Sequence, residues 1–178
     1  MTKKMVFSGY GGQGVLVLGE IVATIAMNKG KEVTWMPSYG PEMRGGTANC
    51  SVIVSDRVIG SPIVQADIDV LVAMNVASIF KFLPKVKPGG LVLVNSSIVK
   101  EKLDRTDVDI LEIDATNIAG NVGSLRVANM VMLAGFLKKT DLFTLEDITA
   151  VLKQRFAGAR SQELIPLNIK AIEIGLNE

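Results

Sequence analysis

The sequence predicts one α/β domain in three layers, a mostly parallel sheet with helices on both faces. Three observations carry that expectation. Short apolar runs alternate with stretches of helical length, the pattern that builds parallel strands joined by crossover helices. A glycine turn, Gly9-Tyr10-Gly11-Gly12-Gln13-Gly14, joins the first apolar run to the first helical stretch. The chain has 178 residues, and at roughly 150 residues per domain that is a single unit, read as 1–178.

Taken in order, residues 4–8 read as the first strand and 14–28 as a helix capped by Gly30. Residues 32–36 form the second strand, and 38–47 a loop rich in Gly, Pro and charge. Residues 48–55 are β-rich, with a hairpin or strand return expected at 57–59 after Asp56. Residues 69–74, branched and apolar behind an acid, read as a buried parallel strand. A short helix at 79–83 is stopped by Pro84. Further strands are expected at 91–95, after Gly89-Gly90, and at 109–114. Residues 126–139 form a helix whose final Lys138 and Lys139 suit the negative end of its dipole. Thr144 and Asp147 make a variant capping box for a helix over 144–156. The last helix spans 166–174, with Pro166 at its first position and Gly175 beyond its end.

Composition excludes whole classes of chemistry. Lys plus Arg is 19 and Asp plus Glu is 18, so the net charge is 19 − 18 = +1. That balance argues against a nucleic-acid binder. There is no histidine, which removes Ser-His-Asp and Cys-His nucleophile systems and His-ligated metals. One cysteine, Cys50, can hold neither an iron–sulfur cluster nor an internal disulfide. A lone thiol fits a reducing, cytoplasmic setting, and without a histidine to activate it Cys50 reads as a core residue. A strand-like run beginning by Lys4 leaves no basic-then-apolar leader. Asn75, Asn129 and charged residues interrupt the longest apolar runs before they reach a membrane-spanning length, so no membrane partner is expected. No catalytic residue and no metal ligand set emerges.

Binding residues do emerge, in two loops. Ten of the 17 glycines precede residue 61, which places close backbone contact in that third of the chain. Gly9, Gly11 and Gly14 satisfy G-x-G-x-x-G, with Gly12 and Gln13 between them. Such glycines permit a tight turn and bring backbone close to a phosphate at a helix N-terminus, as in a Rossmann-like domain. The dinucleotide version needs an acid at the end of the second strand. Here that end is Met36-Pro37-Ser38-Tyr39, and Glu32 lies at the wrong end. The glycines therefore serve a phosphate-bearing ligand, a partner's loop, or only the turn itself. Gln13 either orients a ligand or ties down the loop. In the second loop, Ser38, Tyr39, Glu42, Arg44, Gly45, Gly46 and Thr47 are candidate binding residues. Arg44 sits between two glycine turns and is suited to grip a phosphate or carboxylate, or else pairs with Glu42. Tyr39 stacks on a flat ligand or lies over the loop. Both loops leave carboxyl ends of strands, so they are expected on one rim. Arg126 opens the apolar helix, a position that calls for an anionic partner, and Asn129 follows one turn later. That helix is apolar around most of its circumference, so its own domain or another subunit buries it.

Three blocks carry a resemblance: Ser8-Gly9-Tyr10-Gly11-Gly12-Gln13-Gly14-Val15, the run from Pro37 to Cys50, and Arg126-Val127-Ala128-Asn129-Met130. With Leu167-Asn168 and Ala171-Ile172-Glu173, they resemble the gamma subunit of the 2-oxoacid:ferredoxin oxidoreductase family along almost the whole chain. The resemblance implies one subunit of a larger enzyme, incomplete alone, that oxidatively decarboxylates a 2-oxoacid such as 2-oxoglutarate to an acyl-CoA. It implies that coenzyme A is a substrate of the complex and that ferredoxin accepts the electrons. Thiamine diphosphate, magnesium and iron–sulfur clusters would sit on alpha, beta and delta partners. This chain lacks the family's G-D-G thiamine pattern and its cysteine sets. The resemblance associates both glycine loops with the coenzyme A side of the site and with subunit docking. The alternatives are a stand-alone Rossmann-type nucleotide-binding oxidoreductase and a purely structural interaction subunit.

Overall fold

The computed structural model describes residues 1–40, 46–157 and 164–178. The described chain runs β1 (Thr2–Tyr10), α1 (Val15–Asn28), β2 (Glu32–Tyr39), β3 (Thr47–Ser55), β4 (Ile68–Ala73) and α2 (Val76–Phe82). It continues through β5 (Val86–Asn95), β6 (Asp109–Ile113), α3 (Ala115–Val122), α4 (Ala128–Lys139), α5 (Leu145–Arg155) and α6 (Leu164–Asn177). The strands form one sheet in the order β2-β3-β1-β4-β5-β6. Pairings β1–β4, β4–β5 and β5–β6 are parallel, while β3 runs antiparallel to both β1 and β2. The expected mostly parallel α/β sheet is therefore present, with one reversed strand inside it.

Alternation along each strand divides the core in two. Met5, Phe7, Val52, Val72 and Leu93 face α1, α3, α4, α5 and α6. Val6, Leu71 and Val92 face α2 and the segment that follows β5. β4 is buried at all six positions because strands flank it and both its faces are covered. Phe7, Phe136 and Phe143 tie sheet to helices, with ring centroids 6.1 and 6.3 Å apart. Each such pair adds about 0.5–1.5 kcal/mol beyond its burial. No helix among the described residues is long and apolar enough to cross a membrane.

Several boundaries differ from the sequence expectation, each for a physical reason. The hairpin is β2–β3, across the glycine loop, and residues 57–59 form no strand. Ser38 and Tyr39 extend β2, and Thr47 opens β3, so the loop is shorter than 38–47. Pro37 lies within β2, which is tolerable because β2 is an edge strand. The helix α3 has no counterpart in the sequence reading; it is short, carries Gly120 and Asn121, and ends at Gly123 with φ 112°. Residues 125–127 form a 3₁₀ turn ahead of α4, with Ser124 accepting from the Arg126 amide at 3.3 Å. Asn75 starts α2 three residues before the expected position by accepting from the Ser78 amide at 2.8 Å. The capping box at α5 is present, with Asp147 N donating to Thr144 Oγ1 at 3.3 Å and Thr144 N to Asp147 Oδ2 at 2.9 Å.

The apolar helix is α4, and residues Ala128 to Phe136 are all buried. Its own domain covers it, since it packs on α6, α3, α1, β5 and β6. This settles the open choice between an internal helix and a subunit contact in favour of the former. α6 lies so close that a Cβ on Gly175 would meet Ala134 Cβ at 2.8 Å and the Val131 carbonyl oxygen at 3.1 Å. Gly175 therefore sits inside α6, not beyond its end; the close crossing, and not helix termination, is what needs it. Gly175→Ala should destabilise by about 1–3 kcal/mol through overpacking, against a helix-propensity gain of about 1 kcal/mol. Urea unfolding checks this: the midpoint should fall at constant slope, and an unchanged midpoint would rule the crossing out as the reason for glycine.

Candidate functional site

Because β3 is antiparallel to its two neighbours, the carboxyl ends of β1 and β2 lie on the same rim as the start of β3. Tyr10 pairs with Thr47 and Tyr39 with Ala48. Beyond those pairs the loops themselves are bonded. Gly11 N donates to Gly46 O at 2.9 Å, and Gly40 N to Thr47 O at 2.8 Å. The two glycine loops therefore share one rim, as expected. Glu42, Arg44 and Gly45 lie outside the described residues.

The geometry assigns Gln13 to the loop. Its Oε1 accepts from Tyr10 N at 2.7 Å and its Nε2 donates to Met74 O at 3.1 Å. It thus spans the carboxyl ends of β1 and β4, where the strand order reverses and open α/β sheets form their crevice. Gly9 makes room for this strut: a Cβ there would lie 2.6 Å from Gln13 Oε1 and 2.9 Å from Met74 Cβ. Gly12 and Gly14 have φ of 98° and 74°, a left-handed backbone that glycine adopts without strain. A Cβ on Gly14 would lie 2.4 Å from Asn129 Nδ2, which donates to Gly14 O at 3.3 Å. Asn129 is thus a positioning residue for the start of α1, buried behind the loop. Gly14 caps α1 without a side-chain bond, and the first turn holds no acid.

Arg126 is exposed in the turn one step before α4, and no ion pair engages it among the described residues. The intramolecular anionic partner its position suggested is absent there. Arg126 lies three residues before Asn129, whose amide donates to Gly14 O.

Tyr10, Tyr39, Gly12 and Gly46 wall a groove of about 290 Å³ whose floor includes Val15 and Ala48. Ser38 is exposed at the end of β2, so among the described residues no acid stands at that strand end, where a ribose hydroxyl would be bound. β3 also separates β2 from β1. That holds the two strand ends about 10 Å apart, two strand spacings rather than one. Both facts disfavour the dinucleotide reading.

Sequence reasoning missed a buried polar cluster at the end of β4. Ser78 Oγ bonds Ser8 Oγ at 2.8 Å and Asn75 Oδ1 at 2.7 Å. The Asn75-x-x-Ser78 spacing, a helix N-cap pattern, was the available signal. Cys50 lies in the core against Trp35 and Gly19, as expected, and burial pushes its thiol from the ordinary 9.0 up to about 12. No cluster of three potential metal-ligating side chains occurs among the described residues.

With the rim described, comparison with known proteins is decisive on one point. The family model for pyruvate ferredoxin/flavodoxin oxidoreductase matches residues 4–178. The chain belongs to that family. It is 36% identical over 168 residues to ketoisovalerate oxidoreductase subunit VorA of Methanothermobacter thermautotrophicus, covering 94% of this chain and 34% of that one. It thus spans about a third of the length of the VorA relatives. It is 34% identical over 169 residues to 2-oxoglutarate synthase subunit KorC of Methanocaldococcus jannaschii, covering 93% and 90% of the two chains. Among solved structures, a keto/oxoacid ferredoxin oxidoreductase gamma subunit from Geobacter sulfurreducens superposes with a TM-score of 0.81 at 32% identity, over 98% of this chain and 96% of that one.

Two outcomes test the site in this member of the pyruvate ferredoxin/flavodoxin oxidoreductase family. Gln13→Met removes both bonds at similar volume and should cost about 1–3 kcal/mol. Amide exchange at Tyr10 should accelerate with it, and unaltered exchange would contradict the strut. Burial of Cys50 leaves roughly a thousandfold less thiolate at neutral pH than in the unfolded chain. Iodoacetamide at pH 8 should label it only after urea is added; rapid labelling of the native protein would contradict the core placement.

Proposed function

We propose that this chain is the gamma subunit of a 2-oxoacid:ferredoxin oxidoreductase, shaping the coenzyme A side of its active site and helping to assemble the complex. One observation carries the reading: the family match runs nearly end to end, and gamma-type relatives match over nearly their full length. The pyruvate/ketoisovalerate oxidoreductases common subunit gamma of Thermococcus kodakarensis is 30% identical over 178 residues, covering 97% of this chain and 94% of that one. The reaction would be oxidative decarboxylation of a 2-oxoacid, such as 2-oxoglutarate, to its acyl-CoA with ferredoxin as electron acceptor. This chain does not fit the redox groups of such a reaction. Its single thiol is buried, and a cluster takes about four cysteines. As the family resemblance implies, we assign thiamine diphosphate, magnesium and the clusters to alpha, beta and delta partners, in a cytoplasmic complex.

What the chain's own residues do is bind and orient. The turn from Gly11 to Gly14 offers the backbone N–H groups of Gly12 and Gly14 beside an uncapped helix start, those of Gly11 and Gln13 being bonded to Gly46 O and Tyr10 O, and Arg126 adds a cation that is in no ion pair among the described residues. Arg44, outside the described residues, is proposed as a second cation for the same ligand. An anionic, phosphate-bearing thiol is the substrate such a rim suits.

Native purification tests the assignment: the chain should co-elute with thiamine- and cluster-bearing subunits, and a chain that runs alone would refute it. In the complex, Arg126→Ala and Arg44→Ala should each raise KM for coenzyme A about tenfold with kcat little changed. An unchanged KM removes that arginine from the ligand role.

A further inference from the structure

We propose that the apolar groove beside α2 docks an acidic segment of a partner subunit. The proposal rests on the gamma-subunit reading and gives the complex one contact that shares no residue with the glycine rim. α2 spends Ile79 and Phe82 on the smaller core, where both are buried. Val76, Phe80 and Leu83 follow at i, i+4 and i+7, a second apolar stripe on the same helix. The core takes Val76 and Leu83 only in part, and Phe80 is 72% exposed. With Leu103, from the segment after β5, this stripe lines a groove of about 170 Å³. That is well below the range of about 300–1,000 Å³ that encloses a drug-sized ligand, so the groove suits an inserted side chain rather than a small molecule. An exposed aromatic beside an apolar groove is the anchor type that dominates protein interfaces. The surrounding charge selects the occupant. Lys81 and Lys85, next to Phe80 and Pro84 in sequence, hold their ammonium groups 5.1 and 5.7 Å from one ring, that of Phe82. Like charges are thus gathered at one spot. Neither lysine is in an ion pair among the described residues, nor are Lys100 and Lys102 on the facing segment. These cations outnumber the acids beside them, Glu101 and Asp104, and Asp107 is already taken by Arg105. A partner's carboxylates would relieve the repulsion between Lys81 and Lys85 while its apolar side chain covers Phe80.

The complex, purified after co-expression of this chain with the thiamine- and cluster-bearing subunits, tests this. Carbodiimide joins an ammonium directly to a carboxylate, and it should couple Lys81, Lys85 or Lys102 to an Asp or Glu of another subunit. Phe80→Ser, and Lys81→Glu combined with Lys85→Glu, should each raise the apparent Kd for release of this chain on dilution about tenfold. Phe80→Leu, and arginine at both lysines, should behave as wild type. Raising salt from about 0.05 to 0.5 M should weaken the wild-type complex and leave the doubly Glu-substituted one little changed. Phe80, Lys81 and Lys85 are exposed, so the isolated variants should keep the wild-type urea midpoint. A lowered midpoint would make the stripe part of the core and overturn the proposal. Unchanged release in both variants overturns it, as does coupling only within this chain or to a second copy of it. Phe80-dependent binding to vesicles of phosphatidylcholine and phosphatidylserine at roughly 3:1, with no coupling to a subunit, overturns it too, because the face then meets lipid. A wild-type chain that purifies with no other subunit refutes the gamma-subunit reading itself, and this proposal with it.

Discussion

Between the ends of β1 and β2 lies the first residue of β3, and the backbone bond from Gly11 to Gly46 closes the rim above it. Both loops of the proposed binding rim depend on that arrangement. A parallel neighbour would have put a crossover helix between the two loops. An antiparallel strand puts only itself there. The loops consequently approach closely enough to bond through backbone alone. The same insertion moves the end of β2 away from β1, which takes away the geometry a dinucleotide needs.

Two side-chain amides hold the rim from beneath. Gln13 reaches sideways to β4, and Asn129 reaches up from α4 to Gly14. These bonds fix the orientation of both amides. Each occupies space that a glycine leaves open: Gly9 for Gln13 and Gly14 for Asn129. The need for glycine at Gly9 and Gly14 is therefore explained by close approach within the protein.

Much of the fold was legible because its signals are local. β4 shows as a run of branched apolar residues, α5 begins with Thr144 and Asp147, and Gly30 with φ 72° marks the end of α1. The errors arose where distant residues decide. Nothing near Ser51 reveals that β3 will run backwards between two strands that it follows in sequence. Gly175 has the same local signature whether it ends a helix or lets two helices touch, and only Ala134 and Val131, about forty residues away, distinguish the cases. α3 is too short and too rich in Gly and Asn for propensity to declare it. At the site, the loops were found because glycine and arginine are conspicuous there. The roles of Gln13 and Asn129 stayed open because Met74 and Gly14 are neighbours only in three dimensions.

α4 has no polar side, and part of its cover is α6, the last helix of the described chain. Its larger core accordingly stays open during synthesis until residues beyond 164 emerge. Before that moment a nascent polypeptide would present a greasy cylinder to its surroundings. The domain is therefore finished only when α6 docks, and the last turns of the described chain decide when that surface disappears.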